Sequence, residues 1–318
     1  MLSVCSIDRF MANNLISGSV DASYAVSRSH GQLVLVFDYD AACKRTRLVS
    51  RESRPPLQVV RPFDLPDGGV LLHIQNVAGG VLGGDLLDVN ITLNAGARVQ
   101  LTTTGANRIY RPRETDGPAV QSTKLYVGAG SLLEYLPDPT IPFASARYRQ
   151  TTNITLGDGA GLYWWEVLSP GRTAHGEVFA YEKLDIAASI DTEDGSPVVR
   201  ERNVVRGQGA PLPPNPGGRT ALGSSLGPYR YLATFYAMRV GASSIELLDA
   251  ERSLTDLALE LSVPGETVWG VSALSAHGLV VRGLSCRSRT LNASLIAFWR
   301  HAKRLLHNED IVIPRKVW

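Results

Sequence analysis

Asn153-Ile154-Thr155-Leu156-Gly157-Asp158-Gly159-Ala160, running on to Leu162-Tyr163-Trp164-Trp165, is one of three versions of a single pattern. Asn90-Ile91-Thr92-Leu93 passes through Asn94-Ala95-Gly96-Ala97 into Val99-Gln100-Leu101. Lys124-Leu125-Tyr126-Val127 passes through Gly128-Ala129-Gly130-Ser131 into Leu132-Leu133-Glu134-Tyr135-Leu136. Each unit is a strand-like run, a turn of small residues and a second strand-like run. Recurrence about every 30 residues is the spacing of stacked β units. It favours a mainly β fold of packed sheets over alternating β and α. The aromatic run Tyr163-Trp164-Trp165 then reads as core.

Just upstream, Asn76-Val77-Ala78-Gly79-Gly80-Val81-Leu82-Gly83-Gly84-Asp85 joins Val70-Leu71-Leu72-His73-Ile74 to Asp88-Val89-Asn90-Ile91-Thr92-Leu93. Glycine is required where φ is positive or where another backbone comes close. A dinucleotide fingerprint needs glycine where Val81 stands. A Walker loop needs lysine where Asp85 stands, and a carboxylate there repels phosphate. The loop therefore predicts a tight turn with close backbone packing. Further upstream, Gln32–Phe37 is a predicted strand, and the proline-bounded Arg54–Phe63 suits an edge or a connector.

Downstream, Leu291, Leu295, Phe298, Ala302 and Leu305 step by four, three, four and three. This predicts an amphipathic helix over about 291–307 that caps the β core, one of one or two helices in all. His301 and His307 do not share a face and make a poor metal pair. Residues 1–30 read as a poorly ordered lead-in and 31–318 as a single β-rich domain. A Pro/Gly-rich surface loop interrupts that domain at about 207–227. Gly223-Ser224-Ser225-Leu226-Gly227 matches a nucleophile elbow, but a proline-rich stretch precedes it where a hydrophobic strand is needed.

Charged residues are 19% of the 318 and the net charge is +2, which argues against nucleic acid or a membrane surface as main partner. Cys5, Cys43 and Cys286 are far apart and form no CxxC, which fits a reducing compartment. No apolar run suits a signal peptide or a membrane span, so the chain reads as cytoplasmic.

Several segments, taken in order, resemble the UreD (UreH) family of urease accessory proteins. They are Leu57–Phe63, Gly79–Asp85, Leu101-Thr102-Thr103-Thr104-Gly105-Ala106-Asn107-Arg108-Ile109-Tyr110-Arg111, Leu133–Phe143, Gly171–Glu177 and Pro314–Trp318. The resemblance implies a mostly β, non-enzymatic scaffold for urease maturation. Its implied partners are a helical UreF-type protein, a nickel-carrying UreG-type GTPase reached through the complex, and apo-urease. It implies nickel in transit and no permanently bound cofactor. Thr104, Arg108 and Pro139 depart from the family's usual residues; the last puts in doubt a carboxylate role at that position.

Two sets of site residues follow. The turn carrying Arg108, Tyr110, Arg111 and Arg113 suits partner binding, since Arg and Tyr dominate interface hot spots. Asp85 and Glu177, each closing a glycine-containing loop, are candidates to line a nickel passage, with His73 and His175 as weaker ones. The competing reading has Asp85 capping a turn and Glu177 pairing with Arg172. The alternative function is a β-rich carbohydrate-active or other hydrolase that uses paired carboxylates such as Asp85 and Glu177.

Overall fold

The computed structural model describes residues 29–207 and 226–314. Residues 1–28 of the predicted lead-in, nearly all of the Pro/Gly-rich loop and residues 315–318 lie outside them, while His30, placed in the lead-in by the sequence, opens the first strand. In chain order the strands begin with β1 (His30–Asp40), β2 (Arg45–Arg54), β3 (Leu57–Val59), β4 (Phe63–Asp64), β5 (Val70–Asn76) and β6 (Leu86–Leu93). Next come β7 (Arg98–Thr103), β8 (Asn107–Ile109), β9 (Ala119–Val127), β10 (Leu132–Leu136), β11 (Thr140–Pro142) and β12 (Arg147–Leu156). The last are β13 (Gly161–Leu168), β14 (Lys183–Thr192), β15 (Pro197–Arg206), β16 (Tyr231–Arg239), β17 (Thr267–Ala273) and β18 (Gly278–Ser285). Helix α1 spans Ser244–Leu261 and α2 spans Ser288–His307.

The repeated unit is a coil of two layers. Its first strand (β6, β9 or β12) lies in a sheet ordered β15-β14-β12-β9-β6-β1-β2, and its second (β7, β10 or β13) in a sheet ordered β17-β18-β16-β13-β10-β7-β5-β3. Successive units pair in parallel and in register: Leu93 beside Val127 beside Leu156, and Val99 beside Leu133 beside Leu162. The turns stack as well, with Gly128 N donating to Leu93 O and Gly157 N to Val127 O, both at 2.8 Å. A Cβ on Gly157 would sit 2.8 Å from Ala129 N of the turn beneath, and one on Gly128 2.7 Å from Leu93 O, which is why the second and third units carry glycine there.

The inner faces of the two sheets form one core, with Leu35, Ile91, Leu125, Ile154 and Ile190 in a single row of the first sheet. The outer face of the second sheet is buried too. Tyr163, Val167, Phe235 and Trp269 pack there on Leu291, Leu295, Phe298, Trp299 and Ala302 of α2 and on Leu247, Ala250, Leu254 and Ala258 of α1. The predicted C-terminal helix and its capping role are therefore as expected, except that Leu305 of the expected stripe is exposed and Leu306 is buried in its place. Helix α1 went unread in the sequence, although Ser243 and Glu246 form a full capping box at its start.

Candidate functional site: a polar interior between the sheets

The inward rows of the first sheet change character along the strands. Near the stacked turns they are apolar. Two steps further they read Leu33, Val89, Thr123, Thr152, Ala188 and Glu201, then Leu87, Gln121, Gln150, Ile186 and Asn203. The facing row of the second sheet includes Glu166, Thr234 and Arg282. Polar side chains at these inward positions line part of a cavity of about 240 Å³. Its wall includes Gln121, Thr123, Gln150, Thr152, Tyr135 and Glu166. Leu57, Ile74, Leu87 and Val89 line it as well, and a space of that size has room for several waters beside its polar groups.

The wall is organised by bonds that cross between layers. Asn107 Nδ2 donates to Tyr148 OH at 3.3 Å, and Tyr148 OH lies 3.0 Å from Gln121 Oε1 and 3.1 Å from Gln150 Oε1. Gln150 Nε2 donates to Glu166 across the gap. Burial pushes the Glu166 carboxyl up to about 7, with Glu201 adding to the rise and the Gln150 bond opposing it. The protonated and ionised forms of Glu166 are therefore close in free energy near neutrality.

One end of the cavity reaches the surface where Gly79 and Gly80 meet Thr104-Gly105-Ala106-Asn107-Arg108. At the other end Glu166 is shared with a space of about 20 Å³, whose wall also includes Glu201, Asn203 and Tyr236. These three in turn line an open groove with Arg200, Arg202 and Arg282. Tyr236 OH, Asn203 Nδ2 (2.8 Å) and Arg282 Nη2 (2.9 Å) all donate to the Glu201 carboxylate. Burial works against that charge, but the three bonds and the Arg282 charge win and hold Glu201 below the usual carboxylate range.

Of the residues picked out from sequence, Arg108 lines the cavity's surface end. Tyr110 stands beside it: its ring meets Phe143 edge-on at 4.8 Å, and a Cβ on Gly80 would fall 2.3 Å from it. Arg111 and Arg113 are exposed on the same turn. Asp85 is buried and accepts a bond from Leu82 N at 2.9 Å, closing its own turn. Glu177 receives both Arg172 Nε (2.8 Å) and Arg172 Nη2, and these bonds hold its carboxyl low. His175 is exposed on a short 3-10 turn, and His73 meets Phe63 edge-on at 6.0 Å. None of Asp85, Glu177, His73 and His175 is among the residues lining the three spaces. Among the described residues, no group of three or more His, Cys, Asp or Glu could hold a metal ion.

Glu166, Gln150, Gln121 and Glu201 are not among the residues that stand out in the sequence. Their signal was parity: Gln150 and Thr152 alternate in step with Ile154 and Leu156, and Glu166 in step with Leu162 and Trp164. No helix among the described residues is long and apolar enough to cross a membrane.

The family model described as UreD urease accessory protein matches residues 29–318. The chain is 45% identical to the urease accessory protein UreD of Herpetosiphon aurantiacus, over 92% of this chain and 98% of the relative. It is 33% identical to UreD of Pseudomonas savastanoi pv. phaseolicola (91% and 94% covered) and 32% identical to UreD of Nostoc punctiforme (91% and 95%). With nearly the whole chain matched and a mainly β fold of stacked units, this protein belongs to the UreD family of urease accessory proteins.

Proposed function

We propose that the protein is a non-enzymatic scaffold of urease maturation in the cytoplasm, and that nickel crosses it through the polar space between its sheets. The observation that carries this reading is the run of three spaces sharing walls at Glu166 and at Glu201, Asn203 and Tyr236. Carboxamide, hydroxyl and carboxyl oxygens hold a borderline divalent ion weakly enough to let it go, whereas a cage of several His or Cys would trap it. In this reading Glu166 exchanges its proton for the passing ion. Asp85 and Glu177 act from outside the route: Asp85 fixes the glycine loop, and Glu177 with Arg172 fixes the loop that packs on Phe143.

A UreF-type partner docks on the Arg108–Arg113 turn beside the entrance and brings the nickel-carrying GTPase within reach, and the complex then engages apo-urease. The hydrolase alternative is weakened by the pairing of Glu177 with Arg172, which leaves that carboxylate unsuited to proton transfer. The test is co-expression with a UreF-type protein. Alanine at Tyr110 and Arg111 together weakens co-purification while the chain stays folded, and undiminished co-purification removes this turn from the interface.

A further inference from the structure

The outlet of the interior is built differently from its entrance. At the entrance Arg108 is exposed and turns to the Gly79 carbonyl at 3.4 Å, and Asp138 stands in the wall as an acidic group. At the outlet, Arg282 reaches inward from the row that also holds Glu166 and caps the Glu201 carboxylate at 2.9 Å. Tyr236 and Asn203 occupy further acceptor positions on the same carboxylate. A carboxylate offers roughly four lone-pair sites. With three donors on it, one of them a permanent cation, Glu201 has little to give a departing metal ion, and Arg282 repels it.

The same guanidinium is within reach of solvent: the Arg282 side chain is 56% exposed, against 18% for Glu201. Around it the groove is lined by Arg200 and Arg202, which already pair with Asp191 and Asp185. Both alternate with Glu201 and Asn203 along β15 and so stand on its other face, which leaves Arg282 as the guanidinium at the end of the route. A planar guanidinium binds a carboxylate through two parallel bonds, so an incoming acidic side chain competes directly with Glu201 for Arg282.

We propose that Arg282 is an electrostatic latch on the outlet, released when a carboxylate of an acidic acceptor-protein surface docks in this groove and draws Arg282 off Glu201. The inference rests on the nickel route proposed above. It makes release conditional on the acceptor, so the ion is not lost to solvent from a complex that has not docked. Glu201, freed of the guanidinium, becomes the last oxygen ligand before the acceptor.

The test loads the full accessory complex with Ni(II) and follows capture by an excess of chelator, with and without apo-urease. Arg282→Gln speeds capture without urease about tenfold and abolishes the further acceleration by urease. Arg282→Lys, which keeps the charge, retains most of the dependence on urease. Poly-glutamate added to the unaltered complex mimics the acceptor and speeds capture, whereas poly-lysine does not; this arm needs no variant to fold. Capture from Arg282→Gln at the unaltered rate, or no response to poly-glutamate, overturns the latch. Glu166→Gln separates the two readings: slowed capture there with no Arg282 effect leaves the route standing and removes the latch. Normal capture in both variants removes the route itself.

Discussion

Lys303 Nζ lies 2.9 Å from Glu134 Oε1 with both side chains buried, joining helix α2 to the middle of the second sheet. Trp299 Nε1 donates to the same oxygen at 2.9 Å, and Gln100 Nε2 bridges Glu134 to the Val312 carbonyl. Breaking a buried ion pair from one side leaves an uncompensated charge, costing about 3–5 kcal/mol. Lys303→Met should therefore destabilise the fold by that amount in denaturant unfolding. Adding Glu134→Gln, which still accepts from Trp299, should restore most of the loss. Additive losses would show that the pair is not coupled.

Phe298 is fully buried on the same helix, against Trp269 at 4.9 Å between ring centroids. Phe298→Asp puts an unpaired charge into that contact and should cost several kcal/mol. An unchanged melting temperature would contradict the packing of α2 on the sheet.

His307 gives this cap a pH dependence. Its Nδ1 lies 2.5 Å from Tyr163 OH, and burial lowers its pKa to about 4, Arg239, Arg98 and Lys303 adding to the fall and Glu309 opposing it. The unfolded chain takes up the proton near the ordinary value of about 6.5, the folded one only near 4. The His307 contribution is thus complete above pH 6.5 and falls between 6.5 and 4 by about 3 kcal/mol, while the raised Glu166 carboxyl acts in the opposite sense between 7 and 4.5. Unfolding measured across this window should lose that slope in His307→Gln, and an unaltered slope would assign it to other groups.

The glycine loop makes a steric prediction. A Cβ on Gly80 would lie 2.3 Å from the Tyr110 ring and 2.7 Å from Arg108 O. Gly80→Ala should push this turn outward, cost about 1–3 kcal/mol as overpacking does, and weaken UreF-type co-purification. Gly79→Ser tests the other constraint, since Gly79 has φ +76° with open space around it, so the penalty there is backbone strain alone.

What could be read from the sequence followed from chemistry that repeats locally. The small-residue turns at 94–97, 128–131 and 157–160 carry the coil because each turn must lie against the next, so their residues are constrained one by one. Helix α2 announced itself through large side chains at steps of three and four. Helix α1 did not: two of its four buried positions are Ala250 and Ala258, while Ile245, Leu248 and Leu259 face outward and blur the stripe. The interior was hidden for a different reason. Gln121, Gln150, Glu166 and Glu201 come from four strands in two sheets, and only the cross-strand register brings them together. Asp85 and Glu177 drew attention because they close glycine-containing loops, yet a carboxylate in such a place usually serves the turn or a local ion pair.

The most direct test of the account is the nickel content of urease matured with Glu166→Gln, a change that keeps the shape of the side chain and its bonding to Gln150 but removes the exchangeable proton. The complex with the UreF-type partner and apo-urease should assemble as usual, while the purified urease should carry well under half of its normal nickel and a matching fraction of its activity. Fully loaded urease from that variant, with assembly intact, would contradict passage of nickel through the space between the sheets.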